Sequence, residues 1–189
     1  MSRGTGCLHE WQEAQGTREA TPENQSERIW KPPPEDRIKV NLDAGWTGSS
    51  STGFGLVARD HNSCLLVAAT LMDEFRSEAT VAEAKAMRWC LATIRDMGME
   101  AVIVESDSAL VIRAMHSLRC RPDIDPLIHD CKELAKSFSF ISFSHVNRTA
   151  NNAAHVLASL ANDFPSATWW DSPPQIVAEA MLVDAYSTH

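Results

Sequence analysis

The stretch Ile38–Ala44, IKVNLDA, alternates without a break: Ile38, Val40 and Leu42 fall on one side, Lys39, Asn41 and Asp43 on the other. A period of two predicts a strand that ends at an aspartate. Moving forward, GWTGSSSTG (45–53) is turn chemistry and FGLVARD (54–60) a second strand. HNS (61–63) is a tight turn and CLLVAAT (64–70) a third strand. These links are short, so the three strands form an antiparallel meander. Beyond them Ser77 is positioned to cap a long helix to about Met97, which Gly98 stops. AVIVES (101–106) is a short buried strand, followed by Asp107. SALVIRAMHS (108–117) and DPLIHDCKELAKS (125–137) are helices, the second capped by Asp125 with Pro126 at its first position. FSFISFSHV (138–146) alternates as a fifth strand. A last helix begins at Asn147 or Thr149 and runs to about Asn162. A meander followed by helical crossovers predicts an α/β fold with a five-stranded mixed sheet flanked by helices.

Moving backward, residues 1 to about 36 are polar and aperiodic and end in WKPPPEDR. Three prolines fit neither a helix interior nor a central strand, so this segment is expected to be a disordered leader with a polyproline end. The domain then spans 37–163. Residues 164–189 form a tail of unassigned order, whose Trp169–Trp170 pair either binds a partner or covers the core.

Composition narrows the function. The chain of 189 residues suits one domain plus tails. No apolar run approaches the roughly 18 residues of a membrane span, and no signal pattern opens the sequence. The expected location is intracellular, in nucleus or cytoplasm, with no membrane partner. Five scattered cysteines without a CxxC pair fit reduced thiols. A net charge of −8 counts against a simple electrostatic nucleic-acid binder. It leaves room for an enzyme whose own carboxylates are offset by bound divalent cations.

Asp43 and Asp107 stand after strands, where open α/β sheets form their sites. Taken singly, each is accounted for by a turn or a helix cap. Glu83 is the sharper sign. Its helical neighbours at i+4, i+7 and i+11 are Met87, Cys90 and Ile94, so it lies on the stripe that packs on the sheet. A carboxylate there needs a partner, unless it sits at the stripe's edge near the helix start, where the dipole favours it. Three convergent carboxylates suit hard divalent ions, and a pair of ions can drive phosphodiester hydrolysis.

The chain resembles the type 1 ribonuclease H family, and more closely the plant ribonuclease H-like domains related to reverse transcriptases of non-LTR retroelements. The segments that carry the resemblance are KPPPEDRIKVNLDAGW, TGFGLVARD, AEAKAM, VIVESDSALVI and HVNRTANNAAHVLASLA, in matching order over about residues 30–162. The resemblance implies that Asp43, Glu83 and Asp107 are core metal ligands for two Mg²⁺ or Mn²⁺ ions. It implies that His145 is a loop histidine assisting water or product movement. His155 takes the place of a fourth carboxylate, which suggests weaker Mg²⁺ binding and a relative preference for Mn²⁺. Arg148 and Asn151 either contact phosphate or cap the helix and the loop before it. Ala44 replaces a usual glycine, and Ala79 and Thr80 replace asparagines that help hold the hybrid. The resemblance therefore implies a monomeric endonuclease that cuts the RNA strand of an RNA–DNA hybrid. The alternative is a catalytically weak or inactive retroelement-derived interaction domain for nucleic acid or protein; a third reading is a related exonuclease.

Overall fold

The computed structural model describes residues 29–47 and 50–186. The meander forms as the pattern predicts: β1 (Ile38–Thr47), β2 (Ser51–Arg59) and β3 (Leu65–Asp73) pair antiparallel in sequence order. β1 does not end at Asp43, however. Its pairing with β2 continues to Thr47↔Ser51, so Gly45 and Gly53 are strand residues and the turn is shorter than its composition suggests. Part of that turn, residues 48–49, lies outside the described residues.

Helix α1 (Ala79–Asp96) follows, then β4 (Ala101–Ser106), α2 (Ala109–His116), α3 (Asp125–Ala135) and β5 (Phe140–His145). Ser77 does not cap α1. Glu78 occupies that position without a side-chain cap bond, and the Ser77 hydroxyl accepts from Lys85 at 2.8 Å instead. Asp125 likewise lies inside α3, with Ile124 at the cap position, and accepts from the Cys120 thiol at 3.0 Å. Gly98 closes α1 with φ 76°, a conformation that glycine adopts without strain. β5 leads through a 3₁₀ turn (Arg148–Asn151) into α4 (Asn152–Leu160). The Asn147 side chain caps that turn by accepting from the Thr149 N–H at 3.1 Å.

The sheet has six strands, not five, in the order β5-β4-β1-β2-β3-β6. The sixth, β6 (Ser166–Trp169), comes from the tail and pairs antiparallel with β3, and α5 (Gln175–Tyr186) follows it. Four residues are too few to display an alternation, and pairing with β3 covers an edge that would otherwise be open. Trp169 packs with the core, whereas Trp170 is exposed. Most of the leader, residues 1–28, lies outside the described residues, but Trp30 is buried at its end. Cys64, Cys90, Cys120 and Cys131 are free thiols. No described helix is long and apolar enough to cross a membrane.

Two layers of helix sandwich the sheet. Val40, Leu42, Leu56 and Val104 face Met87, Cys90, Leu91 and Ile94 of α1 in the larger core. Val57 and Ala68 face Ala153, Ala154 and Leu157 of α4 and Val177 of α5 in the smaller one. α4 lies unusually close to the sheet because two glycines of β2 admit it. A Cβ on Gly55 would stand 2.3 Å from the Ala154 carbonyl oxygen, and one on Gly53 2.0 Å from that of Ala158. That approach carries His155 to the site.

Candidate active site

β1 and β4 run parallel with register Ile38↔Val102 to Asn41↔Glu105, and the pairing stops there. Asp43 and Asp107 stand just beyond, where the strands part. Glu83, from the second turn of α1, enters the gap. Ligand oxygens of Asp43, Glu83 and Asp107 all lie within 4.8 Å of one another. The structure thus brings together the three carboxylates that the sequence singled out.

The electrostatics are unbalanced. Burial pushes the Glu83 carboxyl well above the usual range, and the charges of Asp43 and Asp107 push it further, against a hydrogen bond from the Ala44 N–H and the cation of Arg148. Its Oε2 is buried with no hydrogen-bond partner. Asp107 is raised by burial, then by the charge of Asp43 and a hydrogen bond with it. An orphaned buried oxygen beside two like charges fits a cation, so the residues present suit a divalent metal ion.

His155 reaches the same spot from α4 but is already engaged. Its Nδ1 lies 2.7 Å from Oδ2 of Asp43, the geometry of an N–H donated to a carboxylate. The guanidinium of Arg148 lies 3.0 Å from Nε2 of His155. With that tautomer the relay runs Arg148 to His155 to Asp43, and both ring nitrogens are used. His155 belongs to the site yet stands outside the three-carboxylate cluster. His145 is exposed at the end of β5, with Nε2 3.2 Å from the Asp107 carbonyl oxygen. Arg148 is exposed at the rim.

Asn151 does not fit the expectation of a nucleic-acid contact. It is fully buried, its amide donates to the Leu42 carbonyl at 2.9 Å, and its oxygen accepts from Asn41 at 3.2 Å. It pins α4 to β1 beside Asp43. It holds the N-cap position of α4 but makes no side-chain cap bond there, so the capping role that the sequence also offered is not what its side chain does. The sequence reading missed Asn41 and Arg59. Asn41 bonds Glu105 at 3.0 Å, and Arg59 bonds Asn41 at 3.0 Å. A polar residue on the same strand face as Asp43, two positions before it, was the available signal.

The layout is that of a ribonuclease H-like fold, and the comparisons agree. The profile of the reverse transcriptase-like family matches residues 41–161, so the chain belongs to that family and is a ribonuclease H-like domain protein. RNase H1 from the halophilic archaeon Halobacterium salinarum NRC-1 is similar at 24% identity and TM-score 0.61, covering 68% of this chain and 98% of its own. The N-terminal RNase H domain of a Mycobacterium tuberculosis protein is similar at 24% identity and TM-score 0.59, over 76% of this chain and 97% of its own. LC11-RNase H1, solved in complex with an RNA/DNA hybrid, is similar at 24% identity and TM-score 0.59, over 67% of this chain and 97% of its own. At these identities the likeness establishes the fold. No curated protein matches the chain significantly.

Proposed function

We propose that the chain hydrolyses the RNA strand of an RNA–DNA hybrid, with divalent ions, Mg²⁺ or Mn²⁺, held by Asp43, Glu83 and Asp107. The observation that carries the reading is the uncompensated cluster: three carboxylates within 4.8 Å, one with a buried oxygen that nothing in the chain satisfies. When bound, such ions lower the pKa of an attacking water and stabilise the charge that develops on the leaving oxygen. The chain's own residues orient. Asp43 is fixed within β1 and Asp107 directly follows β4, and the Ala44 N–H holds Glu83. Arg148 adds positive charge at the rim, where a phosphate would approach. His145, exposed and bonded to the Asp107 carbonyl, supports a role in moving a proton or water past the site. Selection of RNA would come from its 2′-hydroxyls.

One observation favours a second reading, a retroelement-derived domain that binds nucleic acid or protein without cutting. His155 and Arg148 already occupy hydrogen-bonding capacity of Asp43 and its surroundings. One assay separates the two: cleavage of a labelled RNA–DNA hybrid in Mg²⁺ and in Mn²⁺, beside double-stranded RNA and duplex DNA. The nuclease reading expects hybrid-specific cutting that Asp107→Asn lowers by about 1,000-fold, roughly 4 kcal/mol of barrier. Folded protein that cuts nothing in either metal moves the conclusion to the binding domain.

A further inference from the structure

Helix α4 begins inside the protein. Asn151, Ala153 and Ala154 at its start are fully buried, so the unpaired N–H groups of its first turn do not reach water. Asn151 holds the N-cap position without a side-chain cap bond. The acceptor comes instead from α5. Oδ2 of Asp184 takes the Ala153 N–H at 3.4 Å across 31 positions of sequence. Asp184 is itself fully buried. Burial pushes its carboxyl up to about 6, and the Arg59 cation and the N–H groups of Ala153 and Asn152 act against that shift. A carboxylate at a buried helix start answers both the orphaned N–H groups and the positive end of the helix dipole.

Asp184 does not rely on α4 for its place. The Arg59 guanidinium donates to Oδ2 at 3.2 Å and to the Asn41 side-chain oxygen at 3.0 Å. The Asp184 carbonyl accepts from the Trp30 N–H at 2.9 Å, and the Trp30 ring lies over Arg59. Val177 and Ala180 of α5 share an apolar core with α4. Trp30 and α5 both stand outside residues 41–161, the span that matches the family. The two flanks of the chain thus close on the start of α4.

Position gives the cap its consequence. His155 is the fourth residue of α4, about one turn from the cap. Its Nδ1 lies 2.7 Å from Asp43, and Arg148 stands on its other side. The glycines of β2 set how near α4 lies to the sheet. The cap sets where the helix starts, and a start displaced by a fraction of a turn would carry the imidazole off Asp43.

We infer that Asp184 is a positioning residue of the acidic site: from α5 it caps the start of α4 and so holds His155 on Asp43. Its effect on cleavage rests on the proposed nuclease function, whereas its hold on His155 does not.

The test separates the cap from the ion pair. Arg59→Met removes the buried cation. In that background Asp184→Asn keeps an oxygen able to cap, and Asp184→Ala keeps none. Both full-length variants are read by NMR with ¹⁵N-labelled histidine rings, the His155 Nδ1–H signal being identified by its loss in His155→Gln. The asparagine variant keeps that signal and the alanine variant loses it. On an RNA–DNA hybrid, kcat of the alanine variant falls about tenfold below that of the asparagine variant, with KM within about twofold. Val177→Ala loosens α5 in its apolar core without touching the cap, and it leaves the signal and kcat as in the parent. In the unaltered chain the Ala153 amide exchanges with solvent as slowly as the amides of the central strands. Fast exchange there, a His155 signal unchanged in the alanine variant, or its loss in Val177→Ala as well, overturns the positioning role. A parent that cuts no hybrid, beside an alanine variant that still loses the signal, overturns the nuclease reading and leaves the cap standing.

Discussion

Two groups of carboxylates gather along β1 and differ in the sign of their neighbours. In the first half of β1, Lys39 pairs with Glu105 at 2.8 Å, and on β2 Arg59 pairs with Asp184 of α5 at 3.2 Å. Trp30 lies over Arg59, 3.7 Å from ring centre to guanidinium. Two residues after Asn41, the same strand presents Asp43 to Glu83 and Asp107. Burial pushes Asp184 up to about 6, but its nearest charge, Arg59, pulls it back down. Burial also raises Glu83, and there the nearest charges, Asp43 and Asp107, push the same way. A paired carboxylate inside a fold is architecture. A trio of mutually repelling carboxylates, answered only in part by His155 and Arg148, costs stability in the free protein, and a cation offsets that cost.

The largest effect that can break this contrast is on folding. Arg59→Met leaves Asp184 buried without its partner and lowers stability by about 3 kcal/mol in urea unfolding. Glu83→Gln, by removing a like charge, raises the stability of the metal-free protein by about 1 kcal/mol. A loss in both variants would show that the two groups are alike and that the trio is structural.

Metal addition sharpens the contrast next. An ion bound only by the folded protein stabilises it by about 3 kcal/mol at 100 times its dissociation constant. Thermal melts in Mn²⁺ should therefore rise for the parent and stay flat for Asp43→Asn. A parallel rise in both places the ion elsewhere.

The pH dependence of the paired site follows from Asp184. Its folded value of about 6 exceeds the unfolded value near 4, so the folded chain holds a proton that the unfolded chain releases. The stability from this group is present below about pH 4 and is lost as pH rises to about 6, on the order of 3 kcal/mol. Asp184→Asn should flatten the slope of stability between pH 4 and 6.5. An unchanged slope assigns the titration to another group.

The smallest effect concerns His155. An imidazole in place of a carboxylate favours softer ions, so His155→Asp should lower the ratio of Mn²⁺ to Mg²⁺ activity by about threefold. An unchanged ratio confines His155 to holding Asp43.

Local patterns made much of the fold legible. The period of two in Ile38–Asp43, the turn chemistry at Asp60–Ser63 and the helical stripe Glu83–Met87–Cys90–Ile94 each specify an element without knowledge of the rest. The stripe also flagged Glu83, because a carboxylate on a buried face is a conflict that local sequence displays. Asp43 and Asp107 were legible only as strand ends, and only together with Glu83.

What the chain's tertiary structure alone decided lies in contacts between distant residues. His155 meets Asp43 across 112 positions and Arg59 meets Asp184 across 125, and neither pairing leaves a local trace. Asn151 could have capped a turn at the surface; burial at the β1–α4 junction made it a pin. The sixth strand needed the free edge of β3 to exist before four residues could count as a strand. Trp46 read as part of a turn until β1 was seen to run on to Thr47. Sequence by itself determined which residues are apolar, charged and periodic. Which charges are answered and which are left open depended on how α4 and α5 close over the sheet, because a charge's cost is set by what surrounds it.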